Sequence, residues 1–289
     1  MKFTGAGLVI LAAICWGISG GIADVLMNKG WDPIVISFYR GAVGLLCFFI
    51  WMIFRFKQNG GTSARLYIWS VLAGIGVAGN FAFYFLSIQA SSVAVAATLM
   101  YTAPVFVLFI SFLLRIERST WFKWGCIAGV LIGIILLTGA YNPASISVSF
   151  LGAATGLAAG LSYAMFIFGF KNASSIGKPQ TTLTIAFFSL CLILFLFMDK
   201  KEAAALITSN DIGWLLLLGL VGAGVSFTLY IIGIRLTAAS TASIIAMVEP
   251  VTASLFGVLL LGDQLAAIQI AGMTVMLVTI TVLSVKQSE

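Results

Sequence analysis

SIIAMVEPVTASLFGVLLL, residues 243–261, is an apolar run relieved only by small hydroxyl residues, one carboxylate and one proline. It is close to the roughly 20 residues that carry an α-helix across a hydrocarbon core. Similar runs lie near residues 5–23, 33–54, 66–86, 94–114, 121–139, 150–170, 181–198, 212–233 and 266–285, so with 242–261 the sequence predicts ten spans. The runs are continuous rather than alternating, which excludes a transmembrane β-barrel and predicts an all-α integral membrane protein. Composition agrees. The 289 residues are 61% hydrophobic and 8% charged, with a mean hydropathy of +1.14, whereas a soluble domain carries about 25% charged residues.

The same stretch has a counterpart earlier in the chain. An offset of 146 residues pairs Gly76 with Gly222, Phe81 with Phe227, Tyr84 with Tyr230, Pro104 with Pro250, and Glu117 with Asp263. Such gap-free coincidences read as an internal duplication, with repeats at 1–140 and 141–289. Each copy holds five spans, and an odd number forces the second copy to enter the membrane from the opposite side. The expected architecture is therefore two inverted five-helix repeats, which places two related gates around one midplane site. The first run could pass for a signal peptide, but its place in the duplication predicts a retained helix.

Basic residues set the orientation. One side collects Lys2, Arg55, Lys57, Arg65, Arg115, Arg118, Lys123, Lys171, Lys178, Arg235 and Lys286, while the other has Lys29, Lys200 and Lys201. The excess of positive charge predicts a cytoplasmic location for both termini. The net charge of +6 is thus a topology signal and not a sign of nucleic-acid binding.

AAICWGISG (12–20), FYRGAVGLL (38–46), TLMYTAPVFVLFISFLLRIER (98–118) and MVEPVTASLFGVLLLGDQL (247–265) resemble the drug/metabolite transporter superfamily, in particular ten-helix carriers with two EamA domains. The most specific element is the proline-bearing helix that ends in an acidic residue opening the next helix. The first-copy connection, LLRIER (113–118), departs from that pattern with a more basic turn. The resemblance covers nearly the whole chain and implies a secondary carrier without enzymatic activity, chiefly an exporter of small amphipathic metabolites such as amino acids or amines. An importer or facilitator in the same fold, or a lipid-handling flippase or membrane enzyme, is the alternative. A multi-pass location in a bacterial inner membrane is expected.

Within this frame the ionisable residues in the spans are the candidate site. An ionisable side chain at mid-membrane costs at least about 2.5 kcal/mol, so Glu249 requires an offsetting role. It either braces helices as a neutral hydrogen-bonding group, helped by a carbonyl that Pro250 leaves unpaired, or faces a cavity and binds a cation or a proton. Arg40 snorkels, pairs with Asp24 as an outer latch, or meets a substrate carboxylate. Tyr84, Tyr101, Tyr163, Tyr230, Asn80 and Trp16 are candidate cavity-lining groups, able to stack on and hydrogen-bond a substrate. Each also has a plainer reading as membrane packing. Pro104 and Pro250 are the expected deformable points.

Other patterns carry less. GIGVAG (74–79) fits a dinucleotide-binding spacing but lies inside a span, where it reads as helix packing. Gly125, Gly129 and Gly133 read the same way. Cys15, Cys47, Cys126 and Cys191 sit in separate spans, with no spacing suited to a metal or a disulfide. The chain has no histidine, so a histidine-based catalytic triad or proton relay is impossible. No cofactor or metal is expected, and the partners are a small-molecule substrate, the bilayer and a coupling proton.

Overall fold

Side-chain oxygens decide where many of the spans begin in the computed structural model, which describes residues 2–55, 63–118, 120–142 and 149–286. Lys57 and the side chain of Lys2, both used in the charge argument, lie outside what is described. Asp32 accepts hydrogen bonds from the Ile34 and Val35 amides and opens α2 (Pro33–Phe54), with Pro33 in its first turn. Ser63, Ser92, Thr120 and Ser149 do the same for α3 (Ala64–Ala90), α4 (Val93–Met100), α6 (Trp121–Thr138) and α7 (Phe150–Ile176). A capping oxygen satisfies an amide that has no partner within the helix, so these residues fix the boundaries that hydropathy leaves blurred.

The remaining helices are α1 (Lys2–Asn28), α5 (Ala103–Leu113), α8 (Pro179–Phe197), the short α9 (Lys200–Ile207), α10 (Ile212–Gly219), α11 (Ser226–Leu236), α12 (Ala239–Ile245), α13 (Val248–Phe256) and α14 (Ala267–Lys286). Among the described residues ten helical spans are long and apolar enough to cross a membrane. The protein is thus an all-α, multi-pass membrane protein. The even number of crossings puts the start of α1 and the end of α14 on one face, the terminal face; the other is the distal face. Helix α9 lies on the distal face and was not foreseen, being too short and too polar to register as a span.

Two spans are broken rather than merely kinked. The fourth is α4 followed by α5, the ninth is α12 followed by α13, and the breaks fall two to four residues before Pro104 and Pro250. Proline offers no amide and its ring collides with the carbonyl four residues back. The ladder shifts to the tighter i to i+3 pattern instead: Thr102 N donates to Leu99 O at 3.2 Å, and Glu249 N to Ala246 O at 3.0 Å. The Ala246 carbonyl is therefore occupied, contrary to the expectation that Pro250 leaves it for Glu249. The eighth span is also irregular, passing through a π-helical segment, Leu220–Val225, between α10 and α11.

Close backbone contact organises the packing. A Cβ on Gly76 would lie 2.6 Å from the Phe166 amide nitrogen and 2.9 Å from the Ser162 carbonyl, so α3 and α7 touch there almost backbone to backbone. The glycines of 74–79 are thus a packing stripe. Gly129 and Gly133 serve the same end against α14, but Gly125 faces open space. At the centre, Trp16, Phe166, Phe170, Phe227 and Tyr230 form an aromatic layer with ring centroids 4.9–6.4 Å apart.

Both faces are tied. On the distal face Asp211 takes hydrogen bonds from Lys29 and from Trp31 Nε1, and Tyr39 Oη donates to the Ala203 carbonyl at 2.8 Å, fastening α9. On the terminal face Glu117 accepts from Lys123 Nζ at 2.5 Å and from both the amide and the hydroxyl of Ser240, capping α12 from another part of the chain. Burial pushes the Glu117 carboxyl upward, but the hydrogen bonds from Lys123 and Ser240 outweigh it and hold the group below its ordinary value. Lys171 Nζ donates to the carbonyls of Ile234 and Thr237 at 2.8 and 2.7 Å, closing the end of α11.

Candidate functional site

Arg40 lies two turns into α2 and is only partly buried. Its Nε and Nη2 both donate to the Gly222 carbonyl, at 3.0 and 2.9 Å. Gly222 belongs to the π-helical segment, and the widened turn there presents the carbonyl sideways to a charged donor. The guanidinium also lies over the Phe81 ring, 5.0 Å from its centroid, a stabilising arrangement for a cation away from water. Two of its five N–H groups point at one carbonyl, so the planar fork keeps further donors for a ligand. The expected Asp24 partner is not the one found. Asp24 accepts from Asn28 Nδ2 at 3.1 Å, one helical turn along α1.

Glu249 lies in the first turn of α13, immediately after the break. Its Oε2 accepts a long hydrogen bond from Tyr163 Oη of α7, at 3.4 Å. The carboxylate is also within electrostatic reach of Arg40, Tyr84 and Tyr101. Glu249 and Arg40 nevertheless stop short of an ion pair, since the salt bridges among the described residues are Lys29 with Asp211 and Lys123 with Glu117. Glu249 and Arg40 are thus two ionisable groups inside the spans, both partly exposed and not joined in a salt bridge.

The other candidates are spread over several places in the fold. Tyr84 is partly exposed, while Tyr101 and Tyr163 are buried. Trp16 and Tyr230 belong to the aromatic layer, with centroids 4.9 Å apart, and the Trp16 indole nitrogen and Tyr230 hydroxyl have no hydrogen-bond partner among the described residues. Asn80 is buried and donates to the Ala159 carbonyl at 3.1 Å, tying α3 to α7. Pro104 and Pro250 follow the two breaks. Phe81 and Gly222, which hold Arg40, were marked in the sequence only as partners in the duplication; nothing in the residue types signals that one offers a ring and the other a carbonyl to the same cation.

The model of the EamA-like transporter family matches residues 3–139 and again residues 150–285. An uncharacterized transporter of Archaeoglobus fulgidus is 28% identical over 93% of this chain and 92% of its own. The uncharacterized inner membrane transporter YicL of Salmonella typhimurium is 27% identical over 88% of this chain and 86% of its own. A solved crystal structure superposes with a TM-score of 0.79 at 16% identity, covering 98% of this chain and 97% of that one, and so shares the fold.

Proposed function

The chain belongs to the EamA-like transporter family, and from that premise we propose that it is a secondary active transporter exporting small zwitterionic or amine-bearing metabolites, amino acids among them. As a multi-pass transporter it moves a small molecule across a bilayer. The observation that carries the substrate class is the separated pair of Glu249 and Arg40. A carboxylate and a guanidinium that do not neutralise each other suit a ligand with an ammonium at one end and a carboxylate at the other.

In this reading Glu249 receives the ammonium and Arg40 offers its remaining donors to the carboxylate. Tyr84, Tyr101 and Tyr163 line the space between, with hydroxyls for polar groups and rings for apolar ones. Trp16, Tyr230 and Asn80 support that wall from behind. The repeats, 1–140 and 141–289, rock about the site, and the segments around Pro104 and Pro250 deform as they do so. Glu249 is the group that would carry a coupling proton. The distribution of basic residues supports cytoplasmic termini, and the description of the Salmonella relative as an inner membrane transporter supports that location.

The test is thermal stabilisation of the purified protein by amino acids, amines, nucleosides and organic anions, comparing wild type with Glu249→Gln and Arg40→Gln. Amino acids should stabilise the wild type and neither variant, while a simple amine should lose its effect only in Glu249→Gln. An unchanged ligand response in Glu249→Gln would overturn the assignment.

A further inference from the structure

The fourth and ninth spans are equivalents that run in opposite directions, since five of the ten spans lie in each proposed repeat. The offset of 146 residues maps α12 onto residues 93–99 of α4, and Glu117 onto Asp263. Each pairing of helices therefore has a counterpart on the other face of the membrane. On the terminal face α12 packs against α5, and α7 against α11. Among the described residues the distal counterparts, α4 with α13 and α1 with α3, make little or no contact. Burial follows the same division. All seven residues of α12 are buried, whereas Val93 is 59% exposed and Ala94, Thr98 and Leu99 are partly exposed. The distal ties of Asp211 and Tyr39 hold α9 and α10 to the α1–α2 side and do not reach α3 or α4. The helices are closed together at the terminal face and parted at the distal one.

The polar contacts divide in the same way. Glu117, after the fourth span, accepts from the hydroxyl of Ser240 and from its amide at 3.2 Å, in the first turn of α12. Asp263 holds the equivalent place after the ninth span. It is exposed, and its carboxylate has no hydrogen bond or ion pair among the described residues. It lies back along its own chain, where a Cβ on Gly257 would meet it. The equivalent of Ser240 is Ala94, in the first turn of α4. There Ser92 Oγ takes the Val95 amide at 3.3 Å, while the amides of Val93 and Ala94 have no partner within the helix. A free carboxylate and free helix-start amides thus occupy, on the distal face, the positions whose equivalents are bonded on the terminal face.

We infer that Asp263 is the latch of the distal face: when that face closes, its carboxylate moves onto the amides of Val93 and Ala94, as Glu117 leaves Ser240. The inference rests on the alternating-access reading above and adds to it the residues that hold each end shut. A carboxylate at a helix start gains from both the unpaired amides and the helix dipole. Lys171, which joins α7 to the end of α11, has Val25 as its equivalent. The terminal closure therefore keeps one tie that the distal closure lacks, which favours the distally open arrangement.

Spin labels at Gln89→Cys, in the last turn of α3, and at Leu260→Cys, near the end of the ninth span, occupy exposed positions. Double electron–electron resonance between them, with the four native cysteines replaced by alanine, reads the opening across the distal face. Glu117→Gln should raise the ratio of short to long distances about tenfold, the worth of its charge-assisted hydrogen bonds. Lys171→Gln should raise it as well. Adding Asp263→Asn to either variant should undo the rise, and adding Asp263→Glu should preserve it. A rise that persists with Asp263→Asn would overturn the latch and leave alternating access standing. A distance that none of these variants moves would overturn both.

Discussion

The Gly222 carbonyl accepts two hydrogen bonds from Arg40, one each from Nε and Nη2, so a backbone irregularity in the eighth span orients the cation of the second. A Cβ at Gly222 would lie 2.5 Å from Ser19 Cβ and 2.9 Å from Arg40 Nε. Gly222→Ala should therefore move the guanidinium off its carbonyl and weaken ligands bearing a carboxylate about tenfold or more, the worth of one charge-assisted hydrogen bond. Ligands bearing only an amine should be affected less. Titration of both classes by thermal shift separates the two effects.

Tyr163 and Glu249 are 3.4 Å apart, longer than the 2.5–3.0 Å usual for a hydroxyl donor. Tyr163→Phe should cost less than about fivefold in ligand affinity, the low end for a hydrogen bond, because the contact is stretched. Glu249→Gln should abolish amine binding. Equal losses in the two variants would mean that the tyrosine hydroxyl, rather than the carboxylate, is the main contact.

Glu117 gives a pH-dependent contribution to stability. Its folded pKa lies below the ordinary value of 4.5, so the contribution is fully present above about pH 4.5 and fades as pH falls through the lower folded value. Glu117→Gln should melt several degrees below wild type at pH 7, with the gap narrowing in acid. Melting curves recorded at pH 7 and near pH 4 provide the comparison.

Gly76 and Gly125 should respond oppositely to alanine. At Gly76 the new methyl meets the Phe166 backbone, and overpacking costs about 1–3 kcal/mol. At Gly125 nothing lies within 4 Å, so Gly125→Ala should be neutral or stabilising by up to about 1 kcal/mol. Thermal unfolding of the two single variants decides the matter.

Much of this was legible in the sequence, and the reasons differ by residue. The spans follow from hydropathy, which solvent transfer alone dictates. Even so, α7 runs on to Ile176, past the expected end, because Lys171 can remain helical while its ammonium reaches the carbonyls of Ile234 and Thr237. Glu249 and Arg40 stood out as charges in apolar runs, and the structure places them within electrostatic reach. What they touch was not legible. Gly222 offers its carbonyl only through a π-helical turn, and Phe81 meets Arg40 only through the packing of separate spans. Asp24 was matched to Arg40 by charge, whereas helix periodicity already placed Asn28 one turn away. Glu117 stood in a connection that deviates from the family pattern, yet it caps α12, a role set by which helix end packs nearby.

The distance along the chain between Arg40 and its acceptor bears on biogenesis. Gly222 follows Arg40 by 182 residues, so at about 5–20 residues per second the guanidinium enters the bilayer on the order of ten seconds or more before its carbonyl is synthesised. The nascent second helix must remain beside the translocon, sink toward a headgroup, or shelter its charge against Phe81 until the eighth span arrives. The maturation of this protein thus has a built-in waiting step, and its length is set by the position of one glycine in the message.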